Sequence, residues 1–211
     1  MPSGLDRDAI ATAAKTLAAS DLVLADVYQR LGPPPIWSRP ATFATLIRII
    51  LEQQVSLASA KSTFDRTLTL CGGRVTAPTI IGIGPTGLRE IGFSRQKARY
   101  ALALADDVAG KRFRIGSLRH LSDDDVRSQI TARLGLGNWS ADVFLMMGLG
   151  RPDILPIGDL ALVKGIAELD GCVYDNLDEI IQRAEPWRPF RSVATRMVWM
   201  SYLDRRKSSP Q

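Results

Sequence analysis

Two short constellations in the chain have residue types and spacing that could do chemistry. The first is Leu155-Pro156-Ile157-Gly158-Asp159, in which a carboxylate closes an apolar, proline- and glycine-marked loop. A new helical run, Leu160 to Glu168, begins at once after it. A carboxylate in such a place can stabilise positive charge that develops at a reacting carbon. Asp is also among the best helix N-caps, and on the local pattern alone the cap is the simpler account of Asp159. The two roles are compatible, because the N–H bonds of a cap favour the anionic carboxylate. The second constellation is the turn Gly135-Leu136-Gly137, which precedes the carboxylate by 22 residues (159 − 137 = 22). Two glycines one residue apart let the backbone take positive φ and let another backbone come close. At the head of a helix, such a turn presents N–H groups in one direction and can hold an anion.

The elements that must position these groups read as helices throughout. Before the turn, Ser122 with Asp125 three residues later marks a capping box. After the turn a helix starts near Asn138 to Ser140, with Val143, Phe144, Met146 and Met147 on its apolar sides, and stops around Gly150-Arg151-Pro152. Residues 1–31 read as two helices, the first opened by Asp6 or Asp8 and the second capped by Ser20-Asp21. Pro33-Pro34-Pro35 makes a stiff connector to Ile36-Trp37, and Trp37 most simply anchors it to the core. An apolar helix from Ala41 to Glu52 leads through Gln53-Gln54-Val55-Ser56 into a second, with Leu57, Ala60, Phe64, Leu68 and Cys71 at helical spacing. Gly82-Ile83-Gly84-Pro85 looks like another hairpin, but it is followed by Gly87 and heads only a short run, Leu88 to Ile91. Ser94 caps a helix running to Ala109. Later helices carry Leu177, Ile180 and Ile181 up to Ala184, and Val193, Met197, Val198 and Trp199 into Leu203. No window gives a period-two strand pattern. The class is all-α.

A helix, a Gly-x-Gly turn, a helix and a loop ending in a carboxylate resemble the helix-hairpin-helix DNA glycosylases. The wording Leu134 to Gly165, with its Gly-Arg-Pro-Asp and Leu-Pro-x-x-Asp segments, is most similar to the alkylation-repair branch, the 3-methyladenine DNA glycosylase II type. Gln53-Gln54-Val55-Ser56, Gly92-Phe93-Ser94 with Lys97-Ala98, and Trp187-Arg188-Pro189-Phe190-Arg191-Ser192 extend the likeness over residues 40 to 204. The resemblance implies two helical subdomains flanking a DNA- and base-binding cleft, without the N-terminal β domain of larger members. Residues 1–39 would pack with the helices of 165–211, 40–130 would form a helical subdomain, and 131–164 would hold the hairpin and catalytic loop. All of it would be one glycosylase unit.

The resemblance also assigns roles. Asp159 becomes the catalytic carboxylate, and Trp139, Trp199 and Trp37 become walls of the base pocket, although any tryptophan at helical spacing serves core packing as readily. Gln54, with Gln53 beside it, would enter the duplex where the damaged nucleotide has left. Read without the family, the pair are polar residues that satisfy helix ends. Gly135, Leu136, Gly137, Asn138, Ser140 and Lys97 would face phosphate, and Arg99 could do so beside Lys97, with a solvated helix face as the equal alternative for Lys97 and Arg99. Main-chain oxygens of Thr131, Arg133 and Leu136 would hold a structural Na⁺ or K⁺, and no other cofactor is required. The bifunctional branch places a Schiff-base lysine where this chain has Trp139, so a monofunctional hydrolase without lyase activity is expected. The implied function is excision of alkylated purines from duplex DNA by base flipping. The alternatives are a non-catalytic helix-hairpin-helix DNA-binding module and a glycosylase for deaminated or oxidised bases.

Composition is consistent with an anionic partner. Of 211 residues, 27 are Lys or Arg and 22 Asp or Glu, a net charge of +5. Two cysteines without C-x-x-C spacing and a single His120 argue against structural zinc and a cysteine-ligated iron–sulfur cluster. No leader or membrane-spanning run is read, so a monomer in the cytoplasm at the nucleoid is expected, or in the nucleus of a eukaryote.

Overall fold

The computed structural model describes residues 5–208, and it is helical, with no strand among the described residues. The chain divides into two compact units, one built from residues up to 38 together with those from 150 onward, the other from 39–149. In the first unit, α1 (Arg7–Ser20) is capped by Asp6 and α2 (Leu22–Leu31) by Asp21. The second unit holds α3 (Phe43–Glu52), α4 (Leu57–Leu70), α5 (Ala77–Glu90), α6 (Arg95–Ala109), α7 (Asp123–Thr131) and α8 (Asn138–Val143). A π-helical turn, Phe144–Gly148, continues α8. The chain then returns to the first unit with α9 (Leu160–Asp170), α10 (Leu177–Ala184) and α11 (Arg191–Ser208).

Each unit has its own apolar centre. In the first, Ile10, Leu17, Leu24, Val27, Ile166 and Val198 are buried at 2% exposure or less. Asp21 binds its partners there: it caps α2 through Val23 and Leu24, and accepts Arg183 Nη1 at 2.6 Å and Trp187 Nε1 at 2.8 Å. Burial alone would raise its carboxyl, but the bonds from Arg183, Trp187 and the cap outweigh burial and hold it below the ordinary value. In the second unit, α3 is buried almost all round, with Leu46, Ile47, Ile49 and Ile50 at 0% exposure.

Two local expectations change. Helix α5 begins at Ala77, earlier than the short run expected, because Thr76 and Thr79 form a capping box; Gly84 at φ +68° then breaks the helix. The face of α4 expected to be core is partly outside: Leu57 is 59% and Leu68 36% exposed, whereas Thr63 and Thr67 are buried. Thr67 Oγ1 donates to the Thr63 carbonyl at 2.7 Å, so this polar pair enters the core satisfied. At α7, Ser122 accepts from Asp125 N–H as expected, and the Asp125 carboxylate turns to the Ser122 hydroxyl at 2.6 Å.

Candidate active site

In the first unit, Asp159 is placed by one local device and one distant one. It is the N-cap of α9, and its Oδ1 accepts the Leu162 N–H at 2.8 Å. Helix α9 also lies close on α11, because position 165 has no side chain: a Cβ there would stand 2.6 Å from Val198 Cγ1. Beside Val198, Trp199 donates its indole Nε1 to the same Asp159 oxygen at 3.0 Å. Two N–H donors therefore converge on one half-buried carboxylate.

Trp199 is buried to 9% exposure and its ring tilts against Trp37, with centroids 6.4 Å apart and planes at 55°. Trp37 holds φ +41°, a costly backbone state for a bulky residue. Its neighbour restrains it: the Ile36 carbonyl accepts from Arg196 Nε at 3.2 Å, and Arg196 Nη1 reaches the Ser192 carbonyl at 2.9 Å. Burial pushes the Arg196 guanidinium down to about 10. Asp159, Trp199 and Trp37 are thus brought together.

The loop before Asp159 is fastened to the start of α11. Ser192 Oγ accepts the Ile154 N–H at 3.0 Å and donates to the Arg151 carbonyl at 2.7 Å. Arg191 grips Asp153 with Nε at 2.8 Å and Nη2 at 2.9 Å, and Arg188 Nη1 adds a bond at 2.7 Å. Burial raises the Asp153 carboxyl, but bonds from Arg191 and the charges of Arg191 and Arg188 outweigh it and hold it low. These residues were visible in the sequence only as parts of a pattern, without roles.

In the second unit the two hairpin helices are clamped by Arg127 of α7, whose Nε meets Asp142 Oδ1 of α8 at 2.7 Å. The two glycines of the turn differ. Gly135 has φ +80°, and a Cβ there would lie 2.2 Å from the Tyr100 ring, so both backbone and packing demand glycine. Gly137, expected to share that backbone state, is extended at φ −98°, ψ −173°, and nothing lies within 4 Å of a Cβ there. Its missing side chain answers no need inside the protein. Leu136 and Ser140 are buried, while Gly137 and Asn138 are exposed.

Gln53 and Gln54 also separate. Gln53 Nε2 donates to the Gly135 carbonyl at 2.8 Å and to Ser140 Oγ at 3.2 Å, tying the end of α3 to the hairpin. Gln54 is exposed at φ +55°, flanked by exposed Val55 and Leu57. Lys97 Nζ donates to the Leu51 carbonyl at 2.7 Å, and burial lowers its ammonium. Trp139 is half-buried on α8. Among the described residues, no cluster of His, Cys, Asp and Glu could hold a metal ion, and no helix is long and apolar enough to cross a membrane.

Comparison with known proteins meets this geometry. Residues 47–189 match the family model of the HhH-GPD superfamily base excision DNA repair proteins, and the chain belongs to that superfamily. The Bacillus subtilis protein YfjP is 24% identical over 188 residues, 84% of this chain; the alignment spans 65% of that relative's length. A DNA-3-methyladenine glycosidase structure from Bacillus halodurans is 28% identical with a TM-score of 0.76, covering 92% of this chain and 91% of the other. The Schizosaccharomyces pombe 3-methyladenine DNA glycosylase Mag1, solved with abasic DNA, superposes at a TM-score of 0.80. At 23% identity, covering 89% of this chain and 95% of Mag1, that likeness speaks for the fold.

Proposed function

We propose that the protein is a monofunctional DNA glycosylase that removes alkylated purines, of the 3-methyladenine and 7-methylguanine type, from duplex DNA. The observation that carries this is the Asp159 carboxylate at the head of α9, held by the Trp199 indole, with Trp37 beside that ring. The 28% identical Bacillus halodurans glycosidase, matched over nearly its whole length, points to the same substrate class.

The target C1′–N bond lies inside the duplex, so the nucleotide must be rotated out. Gln54, exposed and in a left-handed backbone state at the α3–α4 turn, is suited to fill the vacated place. The main chain at Gly137 and Asn138 would grip phosphate, where no side chain obstructs approach. As the C1′–N bond breaks, its electron pair passes to the cationic base, which leaves neutral. Asp159 stabilises the positive charge left on the sugar until water bonds to C1′ and releases a proton. Aromatic walls favour a cationic ring. An alkylated purine carries its own leaving-group activation, so a second carboxylate is unnecessary. Trp139 offers no amine for a Schiff base, which supports hydrolysis without strand cleavage. Carbonyl oxygens of Thr131, Arg133 and Leu136 are suitable donors for Na⁺ or K⁺, since those at the end of α7 carry the negative pole of the helix; such a cation would stiffen the turn.

The test is incubation with methylated duplex DNA, followed by chromatography of free bases and borohydride trapping with abasic DNA. Release of methylated purines with no covalent adduct is the expected outcome. Absence of any released base, or a strong single-site adduct, would overturn the corresponding part of the reading.

A further inference from the structure

We infer that the groove between the second half of α5 and helix α6 is a second phosphodiester-binding surface, which takes the sugar-phosphate backbone of duplex DNA flanking the damaged nucleotide. The inference rests on the reading of the protein as a duplex-acting enzyme. Two depressions, of about 580 and 390 Å³, share Pro85, Arg89 and Arg95 and so form one groove. Arg99 lines its far part. Arg89, Arg95 and Arg99 are all exposed, and among the described residues none is paired with a carboxylate. Five other arginines of the unit, Arg39, Arg48, Arg112, Arg127 and Arg133, are instead joined to an Asp or Glu. Glu90 and Asp106 also line the groove, yet neither lies within 4.0 Å of these guanidinium groups.

The backbone builds this groove. Gly84 at φ +68° breaks α5, and Pro85 to Glu90 then follow a new course beside α6. Gly82-Ile83-Gly84 is a Gly-x-Gly segment that the proposed chemistry has not used. The groove is also continuous with the hairpin through one side chain. The Tyr100 ring packs on Gly135, and Arg99 lies over that ring at 5.8 Å from its centroid. Helix α6 therefore gives Lys97 to the end of α3 and Tyr100 to the hairpin, and Arg95 and Arg99 to the groove. Arg95 and Arg99 stand four residues apart, about 6 Å along the helix, so neighbouring phosphates of one strand can each meet a guanidinium. An open groove edged by forked donors suits a backbone better than a small molecule.

The test uses the full chain with all three arginines changed together, R89A/R95A/R99A, and the charge-keeping set R89K/R95K/R99K. Affinity for an undamaged duplex is measured by fluorescence anisotropy over a salt series, with circular dichroism as the check on folding. Each phosphate contact contributes about 0.9 to the slope of log K against log salt. The alanine set should lose about two to three from that slope, and the lysine set should keep most of it. A folded alanine set with the parent's slope and affinity overturns the groove alone, because the parent still binds duplex. Equal loss in the alanine and lysine sets also overturns it, since charge then is not what matters. A parent that binds no duplex overturns the groove and the enzyme reading together.

Discussion

The indole N–H of Trp199 and the carboxylate of Asp159 meet at 3.0 Å, on the oxygen that also accepts the Leu162 N–H. One oxygen is thereby fixed from two directions, by a helix end and by a ring on a different helix. Asp21 shares this double fixation, capping α2 while accepting from Arg183 and Trp187, whereas the bonds of the Ser94 and Asn176 caps are local.

If the charge of Asp159 is its contribution to the reaction, Asp159→Asn separates charge from cap. Asn caps a helix about as well as Asp. The melting temperature should move little, while release of base falls by about a hundredfold or more, the range for lost electrostatic groups. Duplex binding should persist. Near-normal release by the Asn variant would remove Asp159 from the chemistry.

The role of the indole N–H is tested by Trp199→Phe, which keeps an aromatic wall against Trp37 but deletes the donor. A hydrogen bond to a charged group is worth about 1.5–3 kcal/mol. Single-turnover base release should therefore slow by roughly tenfold to a hundredfold, with binding to abasic DNA nearly unchanged. Weaker binding to DNA that carries an alkylated base, without a change in rate, would assign Trp199 to the base wall and not to Asp159.

Acid sensitivity should trace in part to Asp21. Its folded-state carboxyl lies below the ordinary value near 3.8, so it binds a proton less readily folded than unfolded. Its stabilisation is complete above about pH 4 and is lost as pH falls through the folded value. Asp21→Asn should lower stability at pH 7 and flatten the acid limb of denaturation below pH 4. An acid limb as steep as the parent's would place the proton uptake on other carboxylates.

What was legible in the sequence was local. Asp159, Ser94 and Ser122 reveal themselves because a cap and its helix are adjacent, and all three cap as read. The ties that shape each unit are not local: Gln53 to Gly135 spans 82 positions and Arg196 to Ile36 spans 160. Neither end of such a pair carries a mark of the other. Gln53 and Gln54 look alike as neighbours, and only the backbone turn at Gln54 sends one inward and the other out. The buried face of α4 is hidden from the sequence for a different reason. Apolar periodicity does not register a threonine whose hydroxyl is satisfied by its own helix.

The two hairpin glycines allow the fold and the DNA grip to be separated. Gly135 at φ +80° would put an alanine Cβ 2.2 Å from the Tyr100 ring, so Gly135→Ala must strain the backbone and displace Tyr100. A cost of about 1–3 kcal/mol follows from the backbone state alone, and the displaced ring adds to it. Gly137→Ala meets neither obstacle: its φ is −98° and the space is open. Its melting temperature should match the parent's or rise slightly, since alanine restricts the unfolded chain. The added methyl group would stand where the proposed phosphate approaches, so binding should weaken, by a similar factor for damaged and undamaged duplex, because a phosphate contact carries no sequence information. Thermal denaturation and anisotropy on both variants check the contrast. Should Gly137→Ala bind both duplexes as tightly as the parent, the turn serves only to connect α7 and α8, and the grip must lie elsewhere.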